Sequence, residues 1–116
     1  MPGIFFFKTK MLENLTKFYT ERVGMDIWLE QPDCTILRKD NLLLGFCQRN
    51  QYETDGMLTF FFETTEEVDA VYSQLVDIAL TQPKENRKYN IYQFFAEDPE
   101  GRALEFQAFL HDIKPL

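Results

Sequence analysis

GIFFFKTKMLENLTKFY at Gly3–Tyr19 and GMLTFFFETTEEVDAVY at Gly56–Tyr72 are two copies of one pattern, offset by 53 positions without a gap. Gly3 falls on Gly56, Ile4 on Met57, Phe5 on Leu58, Phe7 on Phe60, Glu13 on Glu66, Leu15 on Val68 and Tyr19 on Tyr72. An internal repeat decides more about architecture than any single segment does. In each copy an aromatic run suited to a strand leads into an amphipathic stretch suited to a helix.

In the first copy Ile4–Thr9 reads as the strand. Leu12, Leu15, Tyr19 and Val23 then recur at helical spacing, and Gly24 is placed to end the helix. In the second, Met57–Glu63 is the strand and Thr64 with Glu67 has the spacing of a capping box. Val68, Val71, Tyr72, Leu75 and Ala79 form the expected buried stripe. Short strands follow each helix. Asp26–Glu30, Cys34–Arg38 and Leu42–Gln48 come after the first, separated by Gln31-Pro32-Asp33 and Lys39-Asp40-Asn41. After the second comes a polar loop, Gln82 to Asn90, with room for one ragged strand. Ile91–Ala96 and Ala103–Phe109 then flank Asp98-Pro99-Glu100-Gly101, which suits a four-residue type I turn. The order is βαβββ twice, an α+β fold. A unit of this kind covers one sheet face with its helix, and two units side by side curve around a groove that suits a ligand.

At 116 residues, 45% apolar and 27% charged, the chain is read as one globular domain, with repeat one at about 1–50 and repeat two at about 54–110. Twelve phenylalanines exceed what a small core usually needs, which leaves some to line a cavity. A net charge of −7 argues against nucleic acid, whose recognition rests on neutralising phosphates. The apolar run Ile4–Phe7 is too short for a signal peptide or a membrane span, so a cytoplasmic protein with no membrane partner is expected. Phosphate loops, Cys-x-x-Cys pairs and nucleophile elbows are absent. If Asp40-Asn41 is a two-residue hairpin turn, Lys39 pairs with Leu42 and Cys34 faces Cys47. The expected state of the two thiols is reduced and packed in the sheet.

The stretch Leu12–Tyr19 closing at Val23-Gly24-Met25 resembles the N-terminal half of vicinal oxygen chelate proteins, the glyoxalase/bleomycin resistance/dioxygenase superfamily. Phe94–Phe106, with its Asp98-Pro99-Glu100-Gly101 turn and Glu105 on the next strand, is similar to that family's C-terminal signature. The resemblance implies two βαβββ repeats forming a curved mixed sheet around a groove, with helices outside. It also implies a homodimer. Enzymes of the family hold a divalent metal on His, Glu or Gln side chains from the first and last strands of each repeat. Here the matching positions are Ile4, Met57, the strand Leu42–Gln48 and Glu105. Ile4 has no donor and the Met57 thioether suits only soft ions. Gln48 is the only oxygen donor on its strand and sits late. Glu105 alone is intact, and one carboxylate does not make a transition-metal site. His111 lies in the tail.

Alternation along the last strand places Ala103, Glu105 and Gln107 on one face and Leu104, Phe106 and Ala108 on the helix side. Glu105 is the candidate catalytic or binding carboxylate. Phe6, Met57, Thr59, Phe61, Tyr92, Phe94 and Gln107 are the candidate ligand contacts. Aromatic faces attract cations and a buried carboxylate prefers a positive partner. The function expected is therefore metal-independent binding of a small organic molecule, cationic or aromatic, with no cofactor. The alternative is a lyase or transferase resembling glyoxalase I, in which Glu105 joins Glu63, Gln48 or Gln107 around a divalent metal.

Overall fold

The computed structural model describes residues 1–116. Two compact units, Met1–Asp55 and Gly56–Leu116, divide between the copies of the repeat. Each is a four-stranded mixed sheet with one helical segment, in the order βαβββ. No helix is long and apolar enough to cross a membrane.

In the first unit β1 (Phe5–Thr9) leads into α1 (Leu12–Lys17), followed by β2 (Asp26–Glu30), β3 (Cys34–Lys39) and β4 (Leu42–Gln48). The sheet order is β1-β4-β3-β2, with β1 parallel to β4 and the other pairs antiparallel. The helical stretch continues beyond α1 as a π-helical turn, Phe18–Val23, and stops at Gly24, whose φ of +88° suits a residue without Cβ. Leu15, Tyr19 and Val23 from this stretch are buried. Tyr19 stacks on Phe46, and Phe46 on Phe7, so these rings mark the helix side of the sheet. Gln48 holds the helix start: its Oε1 accepts from Leu12 N at 2.9 Å and its Nε2 donates to the Lys10 carbonyl at 2.8 Å.

Residues opposite one another across strands share a face, so Phe6, Gly45, Ile36 and Leu29 form one row on the side away from the helix. Phe6 is half exposed there, in the orientation alternation predicts. Its ring lies over Gly45, and a Cβ at that position would collide with it. Gly45→Ala is expected to cost about 1–3 kcal/mol in urea unfolding. The same change in a Phe6→Ala background should cost little, since the ring it strikes is gone.

In the second unit β5 (Met57–Phe62) leads to α2 (Thr65–Leu75), β6 (Lys84–Asn86), β7 (Ile91–Glu97) and β8 (Ala103–Phe109). The order is β5-β8-β7-β6, and β5 is parallel to β8. The capping box forms as expected: Thr64 Oγ1 accepts from Glu67 N, and Glu67 Oε1 accepts from Thr64 N. Val68 and Leu75 of α2 are buried against Phe60, Leu104 and Phe106 on the helix side of the sheet. Ala79, expected in the helical stripe, lies beyond the helix end and bridges to Ala96.

The β7–β8 connection contains the expected Asp98–Gly101 turn, closed by its i→i+3 bond, and is one residue longer than the turn alone. Asp98 N donates to the Arg102 carbonyl and Gly101 N to the Asp98 carbonyl, so the loop spans five residues, 98–102. Glu97 then pairs with Ala103, and Phe95 stands opposite Glu105. A four-residue turn would have placed Phe94 there. This one-residue change moves every odd-numbered residue of β7 to the Glu105 face.

Tyr92 therefore turns to the helix side, where its hydroxyl donates to Asp69 Oδ1 at 2.6 Å. That bond, with partial burial and the Asp69 charge, pushes the phenol up to about 12. A raised folded value stabilises the fold below about pH 10, the ordinary range for tyrosine, and the benefit is lost as pH rises toward 12. In an absorbance titration at alkaline pH, Tyr92 should ionise near pH 12, and Asp69→Asn should bring it down. The stability difference between the native chain and Tyr92→Phe should close over the same interval.

Candidate functional site

Glu105 sits mid-strand on β8, only 6% exposed, on the sheet face opposite α2. Two neutral groups hold it. Thr59 Oγ1, directly across on β5, donates to Glu105 Oε1 at 2.8 Å. Gln93 Nε2 on β7 donates to Glu105 Oε2. Asn86 Nδ2 on β6 donates in turn to Gln93 Oε1 at 2.8 Å, which fixes which end of the Gln93 amide faces the carboxylate. The result is a directed relay across four strands ending on one anion. A carboxylate has about four lone-pair positions, so the two bonds leave acceptor capacity. Two residues along β8, the Gln107 Oε1 is buried and has no protein donor. Both Glu105 and Gln107 thus offer acceptors on one face, with no cation among the partners of Glu105.

Met57 and Phe61, each more than two-fifths exposed, flank Thr59 on this face. Phe61 meets Phe109 edge to face at 5.4 Å, and the His111 ring lies against Phe109 at 5.6 Å. Beyond the strand ends these rings, with Glu63 and Asp112, border a cleft of about 430 Å³.

The structure thus brings Glu105, Thr59, Met57, Phe61 and Gln107 together as expected. Phe6 occupies the corresponding face of the first unit. Tyr92 and Phe94 are corrected: both point to the helix side, where Phe94 is fully buried between Phe106 and Tyr72. Their places are taken by Gln93 and Phe95, which pattern reading missed because it lacked the true loop length. Asn86 was hidden in the polar loop. His111 and Phe109 acquire a role only through the tail's position.

No three His, Cys, Asp or Glu side chains come together around Glu105. Of the positions matching the family's ligands, Ile4 and Met57 offer no hard donor. Gln48 is committed to the start of α1. Near the carboxylate, Gln93 presents N–H rather than oxygen, and Thr59 gives its proton to it.

The two thiols expected to be reduced form a disulfide, Cys34–Cys47, with Cα atoms 4.0 Å apart. The expected cross-strand register is present. Gln48 N bonds to the Asp33 carbonyl beside it, so the cysteines occupy the close, non-hydrogen-bonded type of pair.

Neither protein-family models nor curated proteins give a match to this sequence. Solved structures do. A glyoxalase/bleomycin resistance protein/dioxygenase from Alicyclobacillus acidocaldarius superposes with a TM-score of 0.79 at 16% identity, covering 97% of this chain and 93% of its own. An integron cassette protein from the Halifax Harbour sewage outfall metagenome gives 0.80 at 21% identity, covering 94% and 98%. Lactoylglutathione lyase from Agrobacterium tumefaciens gives 0.74 at 14%, covering 93% and 92%. The chain has the two-repeat α+β fold of the glyoxalase/bleomycin resistance/dioxygenase proteins, the fold of the vicinal oxygen chelate superfamily.

Proposed function

We propose that this chain binds a small cationic organic molecule, carrying an aromatic or apolar body, without a metal. The observation that carries the reading is Glu105: a carboxylate 6% exposed whose partners, Thr59 and Gln93, are both neutral. A desolvated anion is costly unless a positive group meets it. The unpartnered Gln107 acceptor on the same face adds a second position for a ligand N–H. Met57 and Phe61, exposed on the same face and flanking Thr59, supply apolar and π surface beside the carboxylate. Fold likeness does not supply the reaction or the substrate, and the reading rests on Glu105 and its neighbours.

The test uses benzylamine, with benzyl alcohol as its uncharged counterpart, in buffer containing a chelator. Binding is followed by amide chemical-shift changes. The amine should perturb Thr59, Gln93 and Glu105 and bind about tenfold or more tightly than the alcohol, the worth of one charge-assisted hydrogen bond. Glu105→Gln should remove that preference. Equal affinity for amine and alcohol, or shifts confined to other surfaces, would overturn the reading.

A further inference from the structure

We propose that the Cys34–Cys47 disulfide is a site of thiol–disulfide exchange with low-molecular-weight thiols in the folded protein. The bond lies on the sheet face away from the helix, on the same side as Phe6, Gly45 and Ile36, because Cys47 follows Gly45 by two and Cys34 precedes Ile36 by two. The two cysteines are not equally exposed. Cys34 is buried at 8% exposure, whereas Cys47 is half-buried.

Opening the bond leaves the hairpin standing. Cys34 and Cys47 are the outermost of six consecutive β3–β4 pairs, and β4 is held on its other edge by β1. Beyond the cysteines the strands are tied again by Gln48 N to the Asp33 carbonyl and by Arg49 Nη1 to Asp33 Oδ2 at 2.8 Å. The ladder does not pass through the cysteine pair itself, so its hydrogen bonds are independent of the disulfide.

The exchange is a substitution at sulfur. An incoming thiolate attacks Cys47 Sγ, a new S–S bond forms there, and the Cys34–Cys47 bond breaks. The electron pair leaves on Cys34 Sγ, which takes a proton from solvent. Asp33 Oδ1 lies 3.5 Å from that sulfur and accepts the new S–H. A thiol held in that hydrogen bond is the poor nucleophile, because exchange needs the thiolate. Asp33 is thus a positioning residue that slows reclosure and lengthens the life of the mixed disulfide. A second equivalent of thiol then releases the reduced pair and the small-molecule disulfide.

The experiment treats the native chain with 2-mercaptoethanol without denaturant, quenches with iodoacetamide, and maps both cysteines by mass spectrometry alongside far-UV circular dichroism. The expected product carries mercaptoethanol on Cys47 and carbamidomethyl on Cys34, with an unchanged spectrum. In Asp33→Asn the same adduct should form and decay several-fold faster. Resistance of both cysteines until urea unfolds the chain would overturn the proposal. So would an adduct on Cys34, or two free thiols in protein purified in air.

Discussion

Replacing Asp98 by alanine is expected to lower unfolding free energy by about 3–5 kcal/mol, the usual cost of stripping one partner from a buried charge. Arg102 is 2% exposed, in a loop where an arginine would ordinarily reach solvent. Its Nη1 donates to Asp98 Oδ2 at 3.2 Å and to Glu100 Oε1 at 2.7 Å. The other Asp98 oxygen accepts from the backbone N–H of Glu100 at 2.8 Å and of Arg102 at 3.0 Å. One side chain therefore serves a buried guanidinium and two backbone donors at once. It also sets the five-residue loop on which the β7 register depends. Urea unfolding should show the loss, and adding Arg102→Leu should not recover it, because the buried Glu100 carboxylate then loses its own cation. A loss below about 1 kcal/mol, the range of surface pairs, would contradict the account of a desolvated pair.

Glu105→Gln is expected to cost less than about 1 kcal/mol, because the amide oxygen can still accept from Gln93 Nε2 while its N–H₂ donates to the Thr59 hydroxyl. The new amide must place its N–H₂ toward either the Thr59 hydroxyl or the Gln93 N–H₂. Thr59 can turn its hydroxyl and accept. Gln93 cannot rotate freely, since Asn86 holds its oxygen. Asn86→Ala should free the Gln93 amide to turn, so its cost and that of Glu105→Gln should not be additive in a double-mutant cycle. Additive costs would show that the relay does not orient Gln93. The substitution should leave the chain folded, so that its binding properties can be measured.

The parts of this structure legible in the sequence are those governed by local pattern. The repeat, the Thr64–Glu67 cap, Gly24 at the helix end and the alternation of Ala103, Glu105 and Gln107 all follow from spacing within one element. Thr59 and Phe61 follow from the same period of two. Parts that depend on partners distant in sequence were not legible. Arg102 reads as a surface residue until Asp98 and Glu100 enclose it, and only then does the loop gain its fifth residue. Phe94 and Gln93 exchange faces as a consequence. The facing of Cys34 and Cys47 followed from turn length, but register alone does not say whether two opposed thiols are joined. The Asn86 contribution depends on a three-residue strand, β6, too short and too polar to show a period. Similarly, the π-helical turn at Phe18–Val23 keeps the apolar spacing of an ordinary helix closely enough to be indistinguishable in sequence.

The central claim, a carboxylate site built for a cation without a metal, is tested most directly by calorimetry on chelator-stripped protein titrated with Ni, Zn, Mn and Mg. The expected heats are no larger than dilution for all four, in the native chain and in Glu105→Gln alike. Tight stoichiometric binding of any of these ions, lost in Glu105→Gln, would contradict it and make Glu105 a metal ligand.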